Sequence, residues 1–453
     1  GILHACLDKT LNGGGQFVTV TGEAGVGKSR LAYEFRQGIE KKKITVLQGR
    51  CQSYGSSIPY LPFLNALKRG LTLKETDSPS QLEEKVISNT LAIDSSLEQY
   101  LPLYLHLLSI PSNKFKIPEE LHGQRLKMAI GQALTAIILL NARQNPMVLI
   151  LEDWHWVDEA SDTILKHLAS LMAPYPLMVV VLYRPEHSAN WPDWPFHAPC
   201  VLKAMASGNT AHIIQSIWKV SQLPDGFAAL IHDRTGGNPF YIEEVCKALT
   251  EDGSVRMEGQ HAHLLKPIEK LSLPATVQAV IRARLDRLDA DVKETLQLAA
   301  VIGREFPFSL LEHISSKKSR LPLSLEALKT QELIQQTRLI PEAEFMFKHV
   351  LTQVTVYESL LLKQRKEYHA SVGQALEHIY VGRLEEQCEN LAHHYSNSAD
   401  SDKALVYLQM AATKATGIHS LSEARKFYEQ ALSLLDSDQL TATEQQTLID
   451  LSL

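Results

Sequence analysis

Apolar positions gather in three continuous runs, Ala136–Leu140, Met147–Leu151 and Leu177–Leu182. The first ends a helical pattern that begins at Leu121. The other two are short and rich in Val, Ile and Leu, which predicts strands buried on both faces. A β-branched run, Phe17-Val18-Thr19-Val20, predicts another strand, and Ile44–Leu47 a fourth. Period-3.6 patterns predict helices over Ile2–Leu11, Ser29–Ile39 and Glu159–Met172, the last capped by Asp158. Lys41-Lys42-Lys43 marks a solvated helix end. Strands alternating with helices predict an α/β domain with a parallel sheet over residues 1–200.

The period changes further along. Gly49–Tyr60 reads as a loop opening a long helical stretch that runs to Leu140, and Trp191–Pro195 reads as another loop. Leu202–Gly253 is mostly helical. Thr235-Gly236-Gly237-Asn238-Pro239-Phe240 interrupts it, with Pro239 placed to open the next helix. Leu273–Leu376 reads as helices plus a hairpin, Leu333–Ile340 and Glu344–Phe347, turning at Pro341; helices followed by a hairpin predict a winged helix. From Leu384 the chain is all helical, with Ala404–Lys414 and Ala424–Leu434 as antiparallel candidates. Ala424, Tyr428 and Ala431 match the spacing of a tetratricopeptide second helix. The expected division is 1–200 nucleotide domain, 201–265 helical lid, 266–377 winged helix and 378–453 the start of a repeat array.

Chemistry concentrates at the strand ends. Gly22-Glu23-Ala24-Gly25-Val26-Gly27-Lys28-Ser29-Arg30 completes G-x-x-x-x-G-K-S between a strand and a helix. Glycines let successive N–H groups face phosphates, and the helix start adds its positive dipole end. Lys28 reaches the β/γ-phosphates and Ser29 holds Mg²⁺. Met147–Leu151 delivers Glu152-Asp153 at its carboxyl end, where ligands of open α/β sheets sit. Carboxylates there hold Mg²⁺ and position an attacking water; the alternative is a plain helix cap. Arg184 follows the Leu177–Leu182 strand, either as a γ-phosphate reader or as a surface arginine.

Composition narrows the partners. The chain has 453 residues, net charge −6 and 21% charged residues, so nothing draws it as a whole to nucleic acid or an anionic membrane. Lys363–Lys366 reads as a solvated basic face. The five cysteines form no C-x-x-C pair, which argues against a zinc site or a disulfide framework and fits a reducing, cytoplasmic setting. No apolar run approaches the ~18–20 residues of a membrane span. The start at Gly1 and the end inside a helical pattern lead us to expect a piece of a longer protein.

The set of motifs resembles the signal-transduction ATPases with numerous domains, a branch of the AAA+-like phosphate-loop proteins. The likeness is to the ATPase module behind class III adenylyl/guanylate cyclase domains and in related bacterial regulators. It is carried by Gly22–Leu31, Gly49–Phe63, Leu151–Asp158, Tyr183-Arg184-Pro185, Gly236–Glu244, Leu273–Phe306, Phe347–Leu351 and Ala392–Tyr395. The resemblance implies that the Arg184 strand lies between the phosphate-loop strand and the Glu152-Asp153 strand, which makes Arg184 a sensor arginine. It implies that Pro239 packs on adenine and that His349 touches the β-phosphate of ADP; the bare sequence reads His349 as a buried histidine capping a helix. This chain lacks the Gly-Arg-x-x-Glu opening usual before the first strand, and its acidic pair is Glu-Asp.

The expected function is a slowly hydrolysing ATP switch using ATP/ADP and Mg²⁺, with protein partners on the repeat arm and nucleotide-dependent self-association. Two rivals stand beside it. One is the ATPase module of a DNA-binding activator, which the acidic balance disfavours. The other is a non-catalytic scaffold stabilised by ADP.

Overall fold

The continuous apolar runs become the inner strands of one sheet. In the computed structural model, which describes residues 1–39, 43–52, 58–74, 77–187, 190–268, 271, 273–338 and 343–434, five strands lie parallel in the order β2-β3-β4-β1-β5. They are β1 (Gln16–Thr21), β2 (Thr45–Arg50), β3 (Met147–Glu152), β4 (Leu177–Tyr183) and β5 (His197–Val201). Every residue of β3 and β4 is buried, as expected of strands covered on both faces. Thr21 pairs with Tyr183 and Leu151 with Val181, so the chain leaves β1, β3 and β4 at one edge of the sheet. β4 lies between β1 and β3, the order that the resemblance implies.

Two strands depart from the sequence reading. β2 runs on through Gly49 and Arg50, where a loop is expected, because Arg50 pairs in register with Glu152 and is buried against it. β5 has no counterpart in the reading. It contains Pro199, is half-buried or exposed at every position, and among the described residues pairs with β1 alone. An edge strand tolerates proline because its outward N–H needs no partner.

Chain contacts divide the molecule into two compact units. The first holds Gly1–Thr21, Ser29–Val201 and Tyr380–Leu453. Its core joins the sheet to the helices Leu61–Gly70, Leu101–Leu107, Gly123–Gln144 and Glu159–Leu171. Asp158 caps the last of these, its Oδ1 accepting from Ser161 N at 2.8 Å. The tail helices Cys388–Ser396, Ser401–Gly417 and Leu421–Leu434 pack in succession, and Ile418 between the last two joins the main core. Ala424 is buried, while Tyr428 and Ala431 are half-buried.

The second unit holds Gly22–Lys28 and Leu202–Ile379. The helices Ser207–Trp218, Phe227–Thr235 and Pro239–Glu251 close around Trp218, Phe227 and Ile242. A hairpin absent from the sequence reading, β6 (Val255–Glu258) and β7 (His261–Leu264), turns at Gly259 with φ 60°. A three-stranded antiparallel sheet follows, β8 (Glu305–Pro307), β9 (Ile334–Arg338) and β10 (Glu344–Phe347), in the order β8-β10-β9. Buried Arg284 ties helices together: its guanidinium meets Glu244 at 2.7 Å and Glu251 at 2.9 Å and donates to Gln331 O. The Pro341 turn, Lys41 and Lys42, part of the Gly49–Tyr60 loop and the chain beyond Leu434 lie outside the described residues. Among the described residues no helix is long and apolar enough to cross a membrane.

Candidate functional site

The phosphate-loop segment belongs to the second unit, and its backbone explains its glycines. Gly25 and Gly27 have φ +82° and +103°, values that residues with a Cβ rarely adopt. A Cβ on Gly25 would also sit 2.7 Å from Asn238 Oδ1. That closeness reflects a direct grip on the loop. Asn238 Nδ2 donates to Ala24 O at 2.8 Å, and Phe240 N donates to Gly25 O at 3.3 Å. Asn238 Oδ1 accepts from Phe240 N and Tyr241 N, capping the helix that Pro239 opens. Lys28 Nζ donates to Gly22 O and to Glu23 O, so its ammonium lies across the loop.

His349 reaches the same neighbourhood from the end of β10. Its ring centroid lies 3.9 Å from that of Phe240, and its Nε2 is buried with no hydrogen-bond partner among the described residues. Burial pushes its pKa down to about 3, so the imidazole is neutral. Next to it, Lys348 pairs with Glu243 and Glu332 at 2.7 Å, and Lys247 pairs with the same two carboxylates at 2.6 Å. Burial alone would raise Glu243, but the two ammonium groups outweigh it and hold it down at about 2. The second unit therefore gathers Gly22, Glu23, Ala24, Gly25, Val26, Gly27, Lys28, Pro239 and His349.

Ser29, Arg30, Glu152, Asp153 and Arg184 belong to the first unit. Ser29 is half-buried in the first turn of the helix Lys28–Ile39. Arg30 is exposed and pairs with Glu34 at 2.7 Å along that helix. Glu152 is 4% exposed. Its Oε1 accepts from Arg50 Nη2 at 3.0 Å and from Gln48 Nε2, a charge-assisted arrangement that fixes the carboxylate. Asp153 Oδ2 stands 3.8 Å from Arg50 Nε, and its φ of 56° places it in the left-handed region. Such strain persists only where the surroundings hold it; here Asp153 O accepts from Trp156 N, and Trp154 is wholly buried against Phe63. Trp156 in turn lies under Arg184, whose guanidinium is 5.5 Å from the ring centroid. Five residues that shape the site are given no site role in the sequence reading: Asn238, Phe240, Arg50, Gln48 and Trp156. Only Asn238 carries a local signal, an Asn in front of a helix-opening proline.

Solved structures similar to this chain share little sequence with it. A signal-transduction ATPase with numerous domains and a tetratricopeptide repeat sensor from Pyrococcus horikoshii is 13% identical, with a TM-score of 0.46, over 95% of this chain and 64% of its own. A RuvB variant of Thermotoga maritima is 15% identical, with a TM-score of 0.29, over 77% of this chain and 90% of its own. A curated relative, an uncharacterized protein of Rhizobium meliloti (strain 1021), is 26% identical over 94% of this chain; the chain spans 41% of that relative's length. Residues 1–180, with the phosphate-loop motif, β1, β2, β3 and the first part of β4, match the family described as AAA ATPase domain.

Proposed function

We propose that the chain is an ATP-binding, slowly hydrolysing regulatory switch, the ATPase module of a bacterial-type, cyclase-linked signalling protein. One observation carries this reading. The G-x-x-x-x-G-K-S segment leaves the sheet edge at which the neighbouring strands end in Glu152-Asp153 and Arg184, and its Gly25 and Gly27 adopt positive φ. Backbone N–H groups of Gly22–Lys28 would line the phosphates, and the Lys28 ammonium would exchange its loop carbonyls for the β/γ-phosphate oxygens. The Ser29 hydroxyl with Glu152 or Asp153 is an all-oxygen donor set that suits Mg²⁺, which when bound offsets phosphate charge. Whichever carboxylate is not a metal ligand orients the attacking water. Arg184, braced by Trp156, stabilises charge on the transferring group.

Regulation follows from the same residues. Pro239 and Phe240 belong to a helical lid over 201–265, and His349 to a winged helix over 266–377; the segment 378–453 begins a tetratricopeptide-like arm for protein partners. The grip of Asn238 and Phe240 on the phosphate loop supports a closed resting form in which the lid reports loop geometry. Exchange of ADP for ATP would bias that closed form against an open, self-associating one. Titration with a fluorescent ATP analogue tests the core of the reading. Lys28→Ala removes charge-assisted hydrogen bonds and is expected to weaken binding at least about tenfold to a hundredfold. Parent-like affinity would overturn it. A steady-state phosphate-release assay separates the switch from an ADP-stabilised scaffold.

A further inference from the structure

The first unit contains a cavity of about 580 Å³ between the helices that precede β3 and the tail helices. Small-molecule sites range over roughly 300–1,000 Å³. One wall is apolar, built by Pro59, Leu64 and Leu107; Met410 and Ile418 face it from the tail. Ile418 is part of the main core, so that wall is anchored.

The charges in the lining are unequal. Glu389 is 7% exposed, and Lys414 Nζ meets its two carboxylate oxygens at 2.9 and 3.1 Å. The same ammonium donates to Glu385 O at 3.0 Å. Lys414 has three donors, so these contacts use all of them, and Glu389 is neutralised in place. Glu385 is exposed and also lines the cavity; its carboxylate acts on the Lys414 ammonium through space and makes no ion pair of its own among the described residues. Ser109, Gln409 and Thr413 add polar groups without charge, and His106 also lines the cavity. Two carboxylates beside one ammonium thus leave one net negative charge at a largely apolar chamber.

We propose that this cavity binds a small organic cation, an amine on an apolar body, with the ammonium at Glu385 and the body against Leu64, Leu107 and Met410. Because helices of the ATPase module and of the tail both line it, an occupant strengthens their packing and stabilises the first unit by mass action. The site is independent of the nucleotide switch.

The test titrates the chain, free of nucleotide and at pH 8, with dansylcadaverine, a fluorescent dye bearing a primary amine. Saturable binding with blue-shifted emission is expected, together with a rise in the melting temperature. Glu385→Gln should weaken binding at least about tenfold, the loss of one charge-assisted contact. Met410→Trp, which fills the chamber, should do the same while leaving secondary structure by circular dichroism unchanged. Neutral dansylamide should bind as weakly to the parent as dansylcadaverine does to Glu385→Gln. Equal affinity for the two dyes, or a parent-like Glu385→Gln, overturns the proposal, as does the absence of saturable binding. Lys28→Ala should bind the dye like the parent, so failure of the nucleotide site and failure of this one are read separately.

Discussion

Asn238 serves two groups at once, which makes its two side-chain atoms separable. Its Oδ1 caps the helix Pro239–Glu251, and its Nδ2 holds Ala24 O. Asn238→Ala loses both and should lower stability by about 1–2 kcal/mol, the range for a lost cap. Asn238→Asp keeps the acceptor and loses the donor. It should melt close to the parent yet bind nucleotide more weakly, because it brings a carboxylate to the phosphate loop. Differential scanning fluorimetry with nucleotide titration checks both; an Asp variant that binds like the parent would detach Asn238 from the site. The neighbouring His349 gives a pH dependence with a definite sign. Its folded pKa of about 3 lies below the ordinary value of 6.5, so below pH 6.5 the unfolded chain binds a proton that the folded chain refuses. Its contribution is intact above pH 6.5 and is lost as pH falls toward 3. Glu243 is likewise depressed, and its contribution is lost only as pH falls through 4.5 toward about 2. In a series of melts, His349→Phe should therefore flatten the decline between pH 6.5 and 4.5. A parent-like slope would remove His349 from the account. Residues such as Lys28 are legible in sequence because their chemistry is local. Arg50 is not, since its partner Glu152 lies 102 positions away.

Elements were legible where one physical cause dominated. β1, β3 and β4 follow from unbroken apolar or β-branched runs that are buried as predicted. β5 and β8 escaped because a proline-containing edge strand and a three-residue strand have no period to read. What the sequence could not show was how β4 and the turn after β3 cooperate. Arg184 leaves the end of β4, and Trp156 lies in the short helical turn after Asp153, under the guanidinium. That arrangement predicts a graded pair of variants. Arg184→Ala should cut ATP turnover about 10²–10³-fold, the scale of losing one preorganised donor to a transition state, with ADP affinity unchanged. Trp156→Leu keeps the charge but loses the ring beneath it, a contact worth about 0.5–2 kcal/mol, and should lower turnover by a smaller factor. Single-turnover hydrolysis beside ADP titration checks the order. Equal losses of ADP and ATP affinity in Arg184→Ala would mark a general pocket residue instead.

At the scale of the whole chain, linear reading and contact grouping differ. The sequence reading expects four consecutive segments, whereas contacts group Tyr380–Leu453 in the unit that holds the sheet and place Gly22–Lys28 with Leu202–Ile379. Long-range packing decides such grouping, and periodicity carries no record of it. Within the second unit the phosphate loop meets Asn238 and Phe240, and Phe240 meets His349. A change in loop geometry can thus pass through one ring to the end of β10. His349→Ala removes that ring, a contact worth about 0.5–1.5 kcal/mol. It should speed ADP release roughly two- to tenfold and favour self-association. His349→Phe divides the causes, since it keeps a ring on Phe240 and loses the buried nitrogen. Fast release in both variants would assign the effect to Nε2 and support a phosphate contact. Fast release in the alanine variant alone would assign it to ring packing. Stopped-flow ADP release and light scattering measure the two outcomes, and parent-like behaviour of both variants would return His349 to the core.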